Sequence, residues 1–346
     1  MSEFASRLIQ WQKHYGRHDL PWQNTQDPYA IWISEIMLQQ TQVSSAIGYY
    51  HRFMSRFPDI HRLAEVELDE VMRLWSGLGY YSRARNLHGA AKIVVREHGG
   101  RFPKDFDSLL KLPGVGRSTA AAIASIAFNK KYSILDGNVK RVLARYFMVE
   151  GWPGIKKVEN ELWELADGLL PEKEMATYSQ ALMDLGATVC IRSNPKCDEC
   201  PLSDSCLAFF QNRVMDFPFT KPKKAIPRKE VVMLVLLQGK EIMLQKRPPK
   251  GIWGGMWSLP EMDVNQDPND FVLSTFGYMG QIKGPLSSIE HAFSHFKLRI
   301  TPQLLAINHA IKSTPDNFVW LPLEQAVDAA LPAPVKKIVS EIFLNS

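Results

Sequence analysis

The spacing of apolar residues changes near residue 214, and this change limits the possible folds more than any other feature of the chain. Before it, apolar residues recur with helical spacing; after it, they form strand-sized runs. The intervening segment 214–229 has three prolines and five basic residues and no periodicity, which predicts an extended linker. A chain of 346 residues is long enough for two cores. We therefore predict a helical domain over 1–213, a linker over 214–229 and an α+β domain over 230–346.

Local patterns predict the main elements of each domain. The first helix signal covers 27–38, where Asp27 is suited to cap the helix and Pro28 to occupy its first position. Further helices are predicted over 68–74, 84–95, 117–128 and 160–170. In the second domain, strands are predicted over 230–237, 241–245 and 295–306, and helices over 323–330 and 334–343. The fold class is therefore multidomain, all-α followed by α+β.

Composition excludes several classes of protein. With 45% apolar and 22% charged residues the chain is neither disordered nor of low complexity. The longest apolar run, 231–237, is too short to cross a membrane, and the first residues lack the pattern of a secretory signal. We therefore expect a cytoplasmic protein without a membrane partner, whose four cysteines do not pair as disulfides.

Positive charge is concentrated in one stretch of the first domain. Between 71 and 149 there are 14 Lys or Arg residues and four acidic residues, a local charge of +10, whereas the whole chain carries only +5. Solvated helix faces could produce such a pattern. It is also the electrostatic signature of nucleic-acid binding.

All four cysteines fall within 17 residues, with the spacing C-x6-C-x2-C-x5-C. Four thiolates suit either tetrahedral zinc or a [4Fe–4S] cluster, and the spacing alone does not decide between them. The metal is expected to have a structural role. The ligands would be Cys190, Cys197, Cys200 and Cys206.

The segment 112–118 reads Leu-Pro-Gly-Val-Gly-Arg-Ser and precedes an alanine-rich helix. This pattern is typical of a helix-hairpin-helix. Gly114 and Gly116 would let the backbone approach a phosphate closely, and the amides at the start of the helix would face the anion. Such contacts hold a nucleic acid without reading its sequence.

Two carboxylates are candidates for acid–base chemistry. Glu35 lies in the middle of an apolar helix, where burial would raise its pKa and keep it protonated near neutral pH. Asp136 precedes another amphipathic helix, and we expect helix amides to hold its pKa low. A protonated acid beside an anion is the arrangement used to break a glycosidic bond.

Together, the segments 20–22, 34–43, 112–118 and 135–139 and the cysteine spacing resemble the adenine DNA glycosylases of the helix-hairpin-helix, endonuclease III-like superfamily. The resemblance implies an all-α glycosylase domain with a [4Fe–4S] cluster in the loop 190–206 and a Nudix-like lesion-recognition domain at the C-terminus. It implies hydrolytic removal of adenine mispaired with 8-oxoguanine or guanine in double-stranded DNA, leaving an abasic site. We expect a monomer that associates with the nucleoid when it is bound to DNA.

The resemblance also implies roles for individual residues. In the catalytic pair, Glu35 would protonate N7 of adenine and Asp136 would stabilise the positively charged sugar. Residues that would line or support the adenine pocket are Trp22, Ser118, Asn138, which orients Asp136, and Gln180. Residues that would contact the DNA are Gln40 and Thr41, which wedge into the duplex, Tyr80, which stacks beside 8-oxoguanine, and Gly114 and Gly116 of the hairpin. Residues that would contact 8-oxoguanine itself are Ser294 and His295.

Two absences refine the prediction. In endonuclease III a lysine occupies the position of Ser118 and attacks the sugar; because serine cannot form an imine, we expect a monofunctional enzyme. The alternative is a bifunctional glycosylase/lyase acting on damaged pyrimidines. Residues 262–270 lack the glutamate-rich motif of Nudix hydrolases, so we expect the second domain to bind without hydrolysis.

Overall fold

The computed structural model describes residues 2–23, 25–222, 225–310 and 314–345. Its contacts divide the chain into two compact units, Met1–Glu65 with Asn86–Lys223, and Val66–Arg85 with Lys224–Ser346. The first we call the helical unit and the second the sheet unit. Segment 66–85, although it precedes most of the helical unit in sequence, therefore packs with the C-terminal part of the chain.

Fifteen helices are found in the described residues. Their bounds are α1 Glu3–Tyr15, α2 Pro28–Leu38, α3 Val43–Arg56, α4 Ile60–Glu65, α5 Leu68–Trp75, α6 Ser82–His98, α7 Phe106–Leu110, α8 Arg117–Phe128, α9 Gly137–Tyr146, α10 Lys156–Gly168, α11 Met175–Thr188, α12 Leu207–Phe210, α13 Pro268–Phe276, α14 Leu323–Ala326 and α15 Ala333–Leu344. None of the helices in the described part of the chain is long and apolar enough to span a membrane.

The helical unit is built around helices whose apolar faces meet. Helices α1, α9, α10 and α11 share one core cluster, in which Leu8, Leu143 and Leu185 are fully buried. Helix α2 is apolar nearly all round, and eight of its eleven residues are buried. Its start is fixed as the sequence predicted, because the Asp27 carboxylate accepts a hydrogen bond from the amide of Tyr29 at 3.0 Å and Pro28 occupies the first turn.

The sheet unit contains eight strands in one mixed sheet. They are β1 Arg228–Gln238, β2 Glu241–Lys246, β3 Trp257–Ser258, β4 Glu261–Met262, β5 Tyr278–Pro285, β6 Ile289–Ala292, β7 Lys297–Ala310 and β8 Phe318–Pro322. The main order of the strands in the sheet is β3-β2-β1-β7-β5. Strands β1 and β7 are parallel, with Val231 paired with Ile300, and the other strand pairs are antiparallel. Helix α13 covers one face through Val272 and Phe276, which are buried with Leu234 and Leu305 of the sheet.

The fold class predicted from the sequence is confirmed, an all-helical part followed by an α+β part. Strand β1 begins at Arg228, inside the segment predicted as a linker. The helix predicted over 323–330 is only one turn long, because α14 ends at Ala326. The domain boundaries themselves stay a prediction.

Candidate active site

Among the described residues, the helical unit contains a cavity of about 800 Å³ beside α2. Elements far apart in the sequence form its wall, including α2, α8, α9 and α11. All of the predicted catalytic and pocket residues line it: Trp22, Glu35, Ser118, Asp136, Asn138 and Gln180. Thr41, which was predicted to contact the DNA, also lines it.

Glu35 projects from α2 into this cavity and is otherwise enclosed by apolar neighbours. Burial raises the pKa of Glu35 to about 8, and the negative charge of Asp136 contributes in the same direction. At neutral pH the Glu35 carboxyl is therefore protonated and able to donate a proton to a bound molecule.

Asp136 caps the first turn of α9. Its Oδ1 accepts a hydrogen bond from the amide of Val139 at 2.8 Å, and the amide and side chain of Asn138 also donate to the carboxylate. The expectation that its pKa is low was wrong. Burial outweighs these hydrogen bonds and the nearby Arg141 charge, and raises the pKa of Asp136. The negative charge of Asp136 also raises the pKa of Glu35, so the two carboxyl groups are electrostatically coupled.

Ser118 stands at the start of α8, on the same cavity wall. Its hydroxyl accepts a hydrogen bond from the amide of Leu135 at 3.2 Å, one residue before Asp136. This hydrogen bond connects the start of α8 to the segment that carries Asp136. Ser118 has a hydroxyl and therefore presents no amine to the cavity.

A buried polar network behind the cavity was not predicted from the sequence. Asp184 of α11 is fully buried and receives hydrogen bonds from Gln12, from the backbone and guanidinium of Arg17, and from Gln180. Gln12, Arg17 and Gln180 line the cavity, whereas Asp184 lies behind them. No local pattern reveals this network, because Gln12 and Arg17 are separated from Asp184 by about half the chain.

The hairpin has the backbone geometry that its glycines suggested. Gly114 has a φ of +78°, a conformation that disfavours other residues, and a Cβ at this position would come within 2.9 Å of Asn86 Cβ. Gly116 caps α8 without a side chain, so the first amides of that helix stay accessible to an anion. Gln40 is exposed just beyond α2 with a φ of +56° and does not line the cavity.

A second cavity, of about 600 Å³, lies in the sheet unit and brings together Tyr80, Ser294 and His295. Tyr80 is 47% exposed and has a φ of +50°. Ser294 and His295 form the turn between β6 and β7, with Ser294 Oγ 3.4 Å from His295 Nδ1. Tyr80 thus faces the same space as two adjacent residues that lie more than 200 positions further along the chain, and this space is large enough for a base.

Aromatic rings hold that turn in place, a feature missed by the sequence analysis. The ring of Phe293 stacks on Phe296 at 4.5 Å and meets Trp253 at 5.5 Å and His291 at 4.7 Å. Arg85 also lines the cavity and donates a hydrogen bond to the carbonyl of Gly254.

The four cysteines surround a small and almost wholly apolar cavity. Among the described residues, no group of three or more potential ligands is placed to hold a single metal ion. Arg145, only 2% exposed, donates to the sulfur of Cys190 at 3.4 Å, and a buried cationic donor favours a thiolate ligand. Arg145 also binds the carbonyl of Ile191 at 2.7 Å, which orders the loop. The site therefore fits a buried iron–sulfur cluster held by Cys190, Cys197, Cys200 and Cys206.

Comparison with known proteins agrees with this geometry. The family of HhH-GPD superfamily base excision DNA repair proteins matches residues 33–167, the iron-sulfur binding domain of endonuclease III matches 190–206, and the NUDIX domain matches 231–341. Adenine DNA glycosylase of Buchnera aphidicola (subsp. Baizongia pistaciae) is 40% identical over 98% of this chain and 96% of its own length. The human adenine DNA glycosylase is 33% identical over 98% of this chain and 73% of its own. A thermostable thymine-DNA glycosylase of known structure is 32% identical, with a TM-score of 0.55 over 60% of this chain and 95% of that one.

The fold, the carboxylate-lined cavity and the hairpin define a helix-hairpin-helix DNA glycosylase of base excision repair. Within that class, the chain belongs to the adenine DNA glycosylase family. It is therefore a hydrolase of N-glycosyl bonds that acts on DNA and carries a [4Fe–4S] cluster. The bifunctional pyrimidine-specific alternative is not favoured.

Proposed function

We propose that this protein removes adenine mispaired with 8-oxoguanine, or with guanine, from double-stranded DNA, and that it acts as a monofunctional glycosylase. The observation that carries the proposal is the pairing, in one cavity, of a carboxyl protonated at neutral pH with a second carboxylate fixed by a helix start. Its closest chemical parallel is the acid-plus-anion pair of glycoside hydrolysis.

The proposed reaction begins when the adenine nucleotide leaves the duplex and enters the cavity, at a cost of a few kcal/mol in lost stacking and pairing. Expelled as an anion, adenine is a poor leaving group. Glu35 therefore donates its proton to N7, and the C–N bond to the sugar lengthens. The deoxyribose develops positive charge, which the carboxylate of Asp136 stabilises, with Asn138 holding that carboxylate in place. Water then adds to C1′ of the sugar and gives its proton to the Glu35 carboxylate, which leaves an abasic site and restores the acid.

Ser118 supports the monofunctional assignment. A bifunctional enzyme needs an amine near the sugar to form a Schiff base, and the hydroxyl of Ser118 is engaged with the Leu135 amide instead. The abasic strand should thus stay intact until alkali is added.

The second cavity supports 8-oxoguanine as the base opposite adenine. We propose that Tyr80 stacks beside that base, while Ser294 and His295 supply hydrogen bonds to its edge. Helix α13, which follows strand β4, carries Asp270 as its one acidic residue, so we expect the unit to bind without hydrolysing nucleotides. For the DNA itself, we propose that the amides after Gly114 and Gly116 hold a phosphate and that Gln40 and Thr41 wedge into the duplex.

A single-turnover assay tests the proposal, using duplexes with adenine opposite 8-oxoguanine, guanine or thymine. We expect excision opposite 8-oxoguanine and guanine, and strand cleavage only after alkali. Glu35→Gln should bind the same duplex but fail to excise, by at least the ~10²–10⁴-fold typical of a positioned acid. Unchanged excision by that variant, or a strand nick without alkali that borohydride traps covalently, would contradict the proposal. We further propose that the enzyme works as a monomer in the cytoplasm, associated with nucleoid DNA; sedimentation of the DNA complex checks the monomer.

A further inference from the structure

Gln180 is a wall residue of the active-site cavity whose amide could face a bound base in either of two ways. Presented through its carbonyl oxygen, it accepts a hydrogen bond; presented through its nitrogen, it donates one. Adenine carries an exocyclic amine where guanine carries a carbonyl, so the direction of this amide affects which base is accepted.

The buried carboxylate of Asp184 removes that ambiguity. Gln180 lies one helical turn before Asp184 on α11, and its Nε2 donates to Asp184 Oδ1 at 2.9 Å. An ionised carboxylate only accepts, so the nitrogen of the amide must face Asp184. Among the described residues, none donates a hydrogen bond to the remaining oxygen, Oε1 of Gln180.

Asp184 is itself held in place from the N-terminal side. The guanidinium of Arg17 lies 2.5 Å from Oδ1 through Nη2 and donates through Nε at 2.7 Å, and its backbone amide donates to Oδ2 at 3.0 Å. Gln12 Nε2 donates to the same Oδ2 at 3.0 Å. Because the Arg17 guanidinium and three further donors hold the fully buried carboxylate, Asp184 cannot turn towards the cavity.

We propose that Asp184, paired with Arg17, is a positioning residue for base specificity: it fixes the Gln180 amide so that Oε1 faces the cavity and accepts a hydrogen bond from the exocyclic amine of the extruded base. The inference deepens the proposed function and rests on it. Asp184 touches no substrate, and its effect passes wholly through Gln180.

The test compares adenine with purine, which lacks the exocyclic amine, each opposite 8-oxoguanine under single-turnover conditions. The quantity measured is the ratio of the two excision rate constants in each variant, so that the different leaving-group chemistry of purine cancels between variants. In the unmodified protein the ratio includes the amine contact, worth about 10-fold for one hydrogen bond to an otherwise unpaired group.

Gln180→Leu should lower the ratio by about 10-fold. Asp184→Asn combined with Arg17→Met should lower it comparably. Gln12 and the backbone amide of residue 17 both donate to the position of Oδ2 and hold the asparagine oxygen there, so Nδ2 faces Gln180 and the glutamine amide turns over. Adding Gln180→Leu to this pair should cause no further loss, since all these changes remove one interaction. Glu172→Gln, which removes a carboxylate from the exposed ion pair with Lys131, is the control and should leave the ratio unchanged.

A fold defect would slow excision of both bases alike and leave the ratio intact, so the ratio separates positioning from stability. Should Asp184→Asn with Arg17→Met fail to fold, Arg17→Met with Asp184→Leu also removes both buried charges, a replacement that is often tolerated, and should lower the ratio because Gln180 loses the acceptor that holds its amide. An unchanged ratio in Gln180→Leu or in a folded Asp184 variant overturns the inference. Absence of adenine excision in the unmodified protein would instead overturn the proposed function.

Discussion

At the residue scale, the proposed chemistry of the active site depends on two carboxyl groups that line one cavity. Glu35 and Asp136 are 101 positions apart, yet each was predictable, because each sits in a recognisable local pattern: an isolated acid in an apolar helix and an acid before an amphipathic helix. The direction of the Asp136 pKa was not predictable. It depends on how deeply the cavity buries the carboxylate, which is a property of the packed helices.

The pH dependence of excision follows from the same pair. Burial raises the pKa of Glu35 to about 8, so the proton-donating form is present below about pH 8 and is lost above it. Asp136 must be ionised, and since its pKa is also raised, its protonation should slow the reaction on the acid side. We expect a bell-shaped profile of the single-turnover rate constant, whose alkaline limb falls about tenfold per pH unit. A rate that stays constant from pH 7 to 10 would remove Glu35 from the role of general acid.

Ser118→Lys tests the monofunctional assignment from the opposite direction. The substitution places an amine on the wall that carries Glu35 and Asp136, and it also removes the hydrogen bond to the Leu135 amide. We expect nicked product without alkali and a borohydride-trapped protein–DNA adduct, together with slower adenine release. The unmodified protein treated identically is the control, and equal trapping of both proteins would contradict this view of Ser118.

At the element scale, the spacing of apolar residues was sufficient to predict long helices but not to predict strands at the edge of the sheet. Helix α8 occupies 117–128, the range that its alanine-rich pattern predicted. Strand β5, by contrast, was missed: most of its residues are exposed, and Gly280, Gly284 and Pro285 obscure its alternation. The strand is defined by seven backbone-paired positions along β7 and by the bulges between them, which no local window of sequence contains.

The hairpin provides a prediction at this scale. Gly114→Ala should destabilise the protein by about 1–3 kcal/mol, because a φ of +78° is strained for alanine and the new Cβ meets Asn86. It should also weaken DNA binding, since the turn that presents the amides is displaced. Urea unfolding and fluorescence anisotropy with duplex DNA measure the two effects.

The matched control is Gly89→Ala, in the interior of α6, where a Cβ meets nothing within 4 Å and φ is not positive. There alanine should stabilise the protein by about 0.5–1 kcal/mol and leave DNA affinity unchanged. If both glycines responded alike, the argument from backbone conformation would fail.

At the scale of the whole molecule, sequence motifs predicted a helical and an α+β part but not which segments of the chain pack together in each. Segment 66–85 lies within the stretch matched by the HhH-GPD family, yet it packs in the sheet unit, where Asp69 pairs with Lys246 and accepts a hydrogen bond from Trp257. This grouping brings Tyr80 to the cavity that also holds Ser294 and His295. The partners of Asp69 lie about 180 residues further along the chain, so only the tertiary structure shows this grouping.

Under the proposed function, the second cavity recognises the base opposite adenine and the first cleaves the adenine nucleotide. Ser294→Ala and His295→Ala should therefore slow excision opposite 8-oxoguanine by about 10-fold, the loss of one hydrogen bond to a buried edge, and leave excision opposite guanine nearly unchanged. The preference for 8-oxoguanine, measured as the ratio of the two single-turnover rate constants, should fall accordingly. His309→Ala is the matched control, because His309 is an exposed histidine of the same unit that does not line the cavity. Equal slowing on both mispairs would mean that these residues maintain the fold or general DNA affinity, and the lesion-recognition role of the second cavity would be withdrawn.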